Sequence, residues 1–397
     1  MKKLLVLAAG LLQLPVIKKA KELGYYVIAA DGNPDAIGLT YADKGIVADI
    51  TSEEEMLQIA IQEEIDGVMH PCSEVSMNVM GRINDELHLH GISREVAIKA
   101  TNKHLMREAF EDGGAPSPKS YITVSEDDAW DIFCGMSQSE AILKPSRNSG
   151  SRGVAKVQRG IEKEKFVELY HRAYEESRDR SVLIEEFIQG PEFSVEIIVW
   201  NGIPYILAVT DKLTTDAPYF VELGHNQPSV YSAHVVETLK AAALKGVMAL
   251  GLDDCAAHAE LKIQNGQAYL MEIGARLGGD FISTELVHLS TGIDMVAAAV
   301  NVALGIRPDF EPSESPKGVC IRYFTPKSGR LISVEGRDIL NDERVYDSEI
   351  YVKKDALIPE VKSSLDRSGH VIVTDETVEA AICFADKIVN SVHFNVS

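Results

Sequence analysis

The sequence is short of the features that mark several protein classes. Its five cysteines (Cys72, Cys134, Cys255, Cys320, Cys383) stand far apart and form no CxxC pair. They read as reduced thiols of a cytoplasmic protein and not as a disulfide framework. Positive charge is scarce: 39 Lys and Arg stand against 60 Asp and Glu, a net charge of −21, which argues against a nucleic-acid partner. No apolar run reaches the roughly 18 residues of a membrane helix, so no membrane partner is expected. The opening MKKLLVLAAGLLQLPV imitates a secretory signal but lacks a small-x-small cleavage site. It runs straight into KKAKELG and YYVIAAD, so it reads as the first strand of the fold. Internal repeats and low-complexity tracts are missing. GLLQLP after that strand is not GxGxxG, since only Gly10 is present, and the later glycine loop does not match GxxxxGK[ST]; neither dinucleotide nor P-loop chemistry is supported.

What is present is ordinary globular material, 45% hydrophobic and 25% charged over 397 residues, enough for two or three domains. Residues 1–95 alternate strand and helix (LLVLAAG, PVIKKAKELG, YYVIAAD, KGIVADI, EEMLQIAIQEE, DGVMHP), a parallel α/β unit with Asp31 at the end of its second strand. One helical segment, SREVAIKATNKHLMREAFEDGG, leads into the proline-marked APSPKSYITV. Strand AILKPSR, the loop NSGSRG, strand VAKV, a helix to about residue 176 and strand VLIEEFI follow. FSVEIIVW and IPYILAVT flank Asn201-Gly202, and a long polar loop is expected over 211–229. From about 306 come short strands and a closing helix, VEAAICFADKIVN.

HAELKIQNGQAYLMEIGARLGGD, His258 to Asp280, poses the chemical question. Asn265-Gly266 is a hairpin signal. A two-residue loop would pair Glu260 with Met271 and set Glu260 and Glu272 on opposite faces. A three-residue loop, Gln264 to Gly266, puts Ala259, Leu261, Ile263, Tyr269, Met271 and Ile273 on one face, and His258, Glu260, Lys262 and Glu272 on the other. The binary pattern selects that register. Both carboxylates then point to one place, as Mg²⁺ requires; two acids on a solvated face are the plainer reading. Arg276 and Gly278-Gly279, ahead of the apparent helix FISTELVHLS, add the parts of a phosphate site.

AILKPSRNSGSRGV sets Lys144 at a strand end before a loop of small residues, suited to phosphate contact or simply a flexible turn. In VLIEEFIQGPEFSVE a buried strand ends in Glu185 and Glu186, then passes Phe187 and Ile188 to Gly190-Pro191-Glu192. Such an apolar slot with free backbone groups suits a purine, and a carboxylate suits ribose; an ordinary strand and turn would serve too.

The succession Lys103, Lys144 with its glycine loop, EEFIQGPEFSVE, Glu260, Glu272 and Arg276 resembles the ATP-grasp superfamily of carboxylate–amine ligases over nearly the whole chain. DK…YFVELGHNQPS…EIGARLGGD is most similar to the L-amino-acid ligase group, itself similar in chemistry to D-alanine–D-alanine ligase. The resemblance implies a mixed α/β and α+β ATP-grasp architecture. A Rossmann-like pre-ATP-grasp domain would span 1–95, a linker helix and first nucleotide-binding lobe 96–185, a second lobe with the metal site 186–305, and a small α+β domain 306–397. Lys103 and Lys144 would contact ATP phosphates under a loop formed by Ser149, Gly150, Ser151 and Gly153. Glu185, Phe187 and Ile188 would hold adenine and Glu192 the ribose. Glu260 and Glu272 would hold Mg²⁺, with Mn²⁺ a substitute, and Arg276 would face the transferring phosphoryl group. The family's usual Asn two residues after the second glutamate is Gly274 here, which leaves metal stoichiometry open.

The implied reaction joins a small carboxylic acid, activated as an acyl phosphate, to an amine, in a homodimer. His225, on the expected polar loop, is a candidate for orienting substrate or accepting the amine's proton, although loop histidines are more often inert. Glu74 in HPCSEVS stands where α/β sheets bind ligands, or merely favours a helix dipole. Arg322 in VCIRYF is a candidate for a substrate carboxylate, a strand-surface salt bridge being the plainer reading. The competing readings are a bicarbonate-activating enzyme of the biotin-carboxylase or purine-pathway kind, and a nucleotide-binding regulator without catalysis.

Overall fold

The structure, a computed structural model, describes residues 1–148, 152–217, 219–312 and 315–397. The chain opens with a parallel sheet of β1 (Lys3–Leu7), β2 (Tyr26–Asp31), β3 (Lys44–Val47) and β4 (Gly67–Met69), ordered β3-β2-β1-β4. Both faces of β1 are buried because crossover helices cover each side. Leu4 and Val6 share a core with Val16 and Ile17 of helix Leu14–Glu22, while Leu5 and Leu7 share one with Met56 and Leu57 of helix Glu53–Glu63. The signal-like opening is thus a strand. The Asp31 carboxylate accepts from the backbone N–H of Ala9 at 2.7 Å and of Asn33 at 2.8 Å. This acid is thus engaged by the backbone after β1 and after β2.

The helical stretch before the next unit is two helices, Arg94–Thr101 and Lys103–Asp112, where one was expected. Asn102 breaks it: extended at φ −122°, it accepts from the N–H groups of His104 and Leu105 and so caps the second helix. The cap places Lys103 at the first residue of that helix. A second sheet follows, β5 (Ser120–Thr123), β6 (Glu140–Pro145), β7 (Ala155–Gln158) and β8 (Val182–Glu186), antiparallel in the order β5-β8-β6-β7. Its core sets Leu143, Val157 and Ile184 against Phe133, Phe166 and Tyr170 of helices Glu126–Gly135 and Lys163–Glu176.

The remaining strands are β9 (Glu192–Trp200), β10 (Ile203–Thr214), β11 (Glu222–Gln227), β12 (Cys255–Gln264), β13 (Gln267–Gly274), β14 (Gly318–Tyr323), β15 (Gly329–Glu335), β16 (Val345–Ile350), β17 (Leu357–Ile358), β18 (Gly369–Asp375) and β19 (His393–Val396). Eight of them form one antiparallel sheet, β13-β12-β9-β10-β11-β14-β18-β16; β17, β15 and β19 make a small separate one. The expected long loop over 211–229 is therefore mostly strand, turning only between Thr214 and Glu222. The closing helix, Val378–Ser391, packs Ala381, Phe384 and Ile388 on Cys320, Val371 and Val373 and is followed by β19.

Period-two alternation sorts the large sheet into two faces. Val195 and Ile197 of β9 and Ala259 and Leu261 of β12 join Leu239, Ala243 and Val247 of helix Ala233–Leu250 in one core. Their alternates Ser194, Glu196, His258 and Glu260 must face the other way, and that face carries the chemistry. Among the described residues no single helix is long and apolar enough to cross a membrane.

Candidate active site

The two glutamates do converge, but by another route than the expected three-residue loop. Gln264 pairs with Gln267, Lys262 with Tyr269 and Leu261 with Leu270, so Asn265-Gly266 forms a two-residue turn. The register shifts between Leu261 and Glu260, leaving Met271 as an extra residue, and Glu260 then stands opposite Glu272. The bulge corrects the expected faces as well: Ala268 and Leu270 are the buried residues, and Tyr269 turns to the Lys262 side. The displaced carbonyl of Met271 accepts from Arg107 Nη2 at 2.7 Å.

Each acid bonds an ammonium. Lys103 Nζ donates to Glu272 Oε1 at 2.9 Å and to the Asn148 carbonyl at 2.9 Å. Lys212 Nζ, almost fully buried, lies 2.9 Å from Glu260 Oε1 and 2.8 Å from Glu222 Oε1. His258 continues the chain, Nε2 3.3 Å from Glu260 Oε1 and Nδ1 2.7 Å from Glu196 Oε1. Burial opposes the charge on Glu260, Lys103 and His258, yet opposite charges prevail. Glu260 is held well below the ordinary carboxylate range by Lys212 and His258. Lys103 is raised by Glu272 and Glu74, and His258 is raised to about 9, mainly by Glu196. Two opposed carboxylates on one face are the hard-oxygen donors that Mg²⁺ takes, so the residues present fit that ion.

Arg276 Nη2 donates to Glu74 Oε1 at 3.2 Å, which brings the N-terminal unit to the site. Burial, then the nearby Glu272, raises the pKa of Glu74, although Arg276 pulls it back. Gly274 acquires a reason: a Cβ there would lie 3.2 to 3.3 Å from Cγ, Cζ and Nε of Arg276. Arg276 therefore lies over the position where the resemblance led us to look for Asn.

The nucleotide candidates collect near β6 and β8. The Glu185 carboxylate is buried and shared by Lys144 Nζ at 2.5 Å and Arg107 Nε at 2.8 Å. Burial would raise Glu185, but the two cations bring it down to about 2. Lys144 shares that one acid with Arg107, and burial brings it down to about 8. Phe187 lies under Lys156 and Lys262, 4.0 and 5.5 Å from its ring centre. Lys262 pairs with Glu192 at 2.9 Å, and Ile188 is buried. Gly190, at φ +145°, is required because a Cβ would meet the Ile263 carbonyl at 1.9 Å. Gly153 has φ +73° and packs against Pro145 and Glu176. Ser149, Gly150 and Ser151 lie outside the described residues. A groove of about 1210 Å³ runs past His104, Pro116 and Lys245 and includes neither metal acid.

His225 is not on a surface loop. It lies within β11, fully buried, on the same face as its pairing partner Lys212, and neither ring nitrogen makes a hydrogen bond. Its Nε2 is 3.7 Å from Asp280 Oδ2. Arg367 Nη1 and Nη2 grip Asp280 at 2.6 and 2.8 Å, and the guanidinium stacks 3.6 Å from the Tyr323 ring centre. Burial opposes its charge, but Arg367 and His225 hold Asp280 well below the ordinary carboxylate value. Arg322 is likewise not at the strand surface. It is buried, pairs with Gly224, and donates to Asp386 and Asn226, each at 2.8 Å, so it leaves the opposite side of β14 from His225. Sequence reasoning assigned no role to Lys212, Glu196, Asp280, Arg107 or Arg367. A lysine inside the period-two run of β10 was the one available signal; Arg367 had none.

The fold is an ATP-grasp architecture. A model described as ATP-grasp domain matches residues 137–285, and L-amino acid ligase C-terminal domain 2 matches residues 322–397. The chain thus carries an ATP-grasp domain over residues 137–285 and an L-amino-acid-ligase C-terminal domain over residues 322–397. Alanine–anticapsin ligase of Bacillus subtilis is 27% identical over 322 residues, covering 74% of this chain and 66% of that protein. The chain spans about two thirds of the length of such curated relatives. Human carnosine synthase 1 is 30% identical over 128 residues, 32% of this chain and 15% of that protein. The structure of an L-amino acid ligase from Bacillus licheniformis has the same fold, with TM-score 0.84 at 20% identity across 100% of this chain and 99% of that one.

Proposed function

We propose that the chain is an ATP-dependent ligase that joins a small carboxylic acid, an amino acid, to the amine of a second small molecule. The observation that carries this reading is the convergence of Glu260, Glu272, Lys103 and Arg276 on one sheet face, in a chain ending in an L-amino-acid-ligase domain. Similarity to an alanine–anticapsin ligase supports an amino acid as one partner in the bond, and similarity to a carnosine synthase fits a synthetic ligase. The division near residues 95, 185 and 305 and a homodimeric state belong to the same reading.

Glu260 and Glu272 would hold Mg²⁺, which when bound neutralises charge on the β- and γ-phosphates of ATP. Lys103 and Lys144 hold phosphate oxygens, with adenine against Phe187 and Ile188 and ribose at Glu192. The substrate carboxylate attacks the γ-phosphorus, ADP leaves, and an acyl phosphate forms while Arg276 stabilises the transferring group. The amine then attacks the acyl carbon and phosphate departs, with His225 taking the amine's proton. The bicarbonate reading rests on likeness in fold alone.

The test is ADP release with Mg-ATP against pooled amino acids in bicarbonate-depleted buffer, with products followed by mass spectrometry. Release that needs an acid–amine pair and yields their dehydrated adduct establishes the ligase. Release only when bicarbonate returns overturns it.

A further inference from the structure

Behind Glu260 lies a polar network that the reaction above does not use. His258 and Glu196 are direct cross-strand partners on β12 and β9, and both are buried. Each His258 ring nitrogen faces a carboxylate, Glu196 on one side and Glu260 on the other. The ring is thus held from both sides. The second oxygen of Glu196 accepts from Ser283 Oγ at 3.2 Å, and its first accepts from Ser194 Oγ at 2.8 Å. Ser283 Oγ accepts in turn from the Gly278 N–H at 2.7 Å. Ser283 sits in the π-helical turn Ile282–Leu286, an irregularity that recurs at functional sites. Only glycine fits at 278: a Cβ there would lie 2.6 Å from His258 Nδ1 and 3.0 Å from Glu196 Oε2.

We propose that His258 and Glu196 are positioning residues: a buried relay that fixes the Glu260 carboxylate and ties it to the Gly278 backbone, two residues from Arg276. The inference rests on the Mg-nucleotide reading of the site. A free glutamate rotates about three side-chain bonds. One pinned by a buried imidazole ring, itself pinned by a buried acid, presents its remaining lone pairs in one direction, as metal ligands require. Through Ser283 the same relay sets the backbone that carries Arg276, so the metal acid and the phosphate-facing arginine keep a fixed spacing.

The experiment is calorimetric ADP binding, with Mg²⁺ and in EDTA, on the full chain and on Glu196→Gln, His258→Asn and Ser283→Ala. For the first two we expect Mg·ADP affinity to fall about tenfold or more, with Mg-free ADP affinity within about twofold of the parent chain. Ser283→Ala, which keeps the buried charges, should show a smaller loss confined to the Mg-dependent part, and it decides the matter if the others fail to fold. Unchanged Mg·ADP affinity, or equal loss with and without Mg²⁺, overturns the relay. Absence of Mg-dependent ADP binding in the parent chain overturns the nucleotide reading itself, and the relay with it.

Discussion

Lys212 Nζ donates to Glu260 Oε1 at 2.9 Å, and that bond joins the candidate metal acid to the hairpin carrying His225. Lys212 is buried, and its pKa lies well above the ordinary lysine value because Glu222 and Glu260 outweigh burial. Replacing it with Met leaves two acids without their shared cation. Breaking a buried pair in this way costs about 3–5 kcal/mol. Lys212→Met should therefore lower the urea midpoint, and the loss should shrink on acidification as the two freed carboxylates take up protons. A midpoint within error of the parent chain would show that the ammonium carries no such weight.

The two acids differ in their surroundings, which separates their mutants. Glu272→Gln keeps the shape but removes a charge beside Lys103 and a hard-oxygen ligand. ADP release should fall at least about a hundredfold, on the scale of lost transition-state electrostatics. Unchanged turnover, measured by coupled ADP assay, would remove the metal assignment.

How much of this was legible follows from the span of each relationship. Glu260, Glu272 and Arg276 lie within 17 residues of sequence, and alternation placed both acids on one face. The route was misread because nothing in QNGQAYLME announces that Met271 will bulge; the bulged carbonyl is met by Arg107, 164 residues away. The buried state of His225 was hidden by ELGHNQPS, whose polar letters suggest a loop. Those side chains are paired with equally polar neighbours: Gln227 with Thr210 and Ser290, Asn226 with Arg322. Charge compensation between distant segments leaves no local signature, which is why Lys212 and Arg367 went unassigned. The parallel sheet was plain because each strand is a continuous apolar run bounded by helices.

Nucleotide affinity should depend on pH through Lys144. Its folded pKa is lowered from 10.5 to about 8, burial being the larger cause. A base with a lowered pKa carries its charge only below that value. ADP affinity should be flat below pH 8 and weaken above it, whereas Lys144→Arg should hold its affinity to higher pH. Calorimetric titration between pH 7 and about pH 9.5 checks this. Glu185 works at the other end of the scale. Its pKa falls from 4.5 to about 2, so its contribution to stability is present above 4.5 and is lost as pH drops toward 2. Glu185→Gln should flatten that part of the acid denaturation curve.

The last prediction concerns the C-terminal domain's hold on the site. Asp280 and Phe281 both have left-handed backbones, φ +52° and +63°, a conformation that costs of order 1–3 kcal/mol per residue unless surroundings enforce it. Arg367 supplies part of that enforcement through two bonds to Asp280, with Tyr323 beneath its guanidinium. Arg367→Ala removes the clamp and leaves the Asp280 charge beside His225. The segment should relax, and the loss should appear mainly in kcat/KM for the amine substrate, about tenfold or more, with ADP affinity in EDTA unchanged, since none of these residues touches the nucleotide candidates. Arg367→Lys, with one charge but no two-pronged grip, should recover only a fraction. If Arg367→Ala instead weakens ADP binding and amine use alike, the clamp serves the whole fold and not the site. If it changes neither, the strained pair is held by the sheet alone.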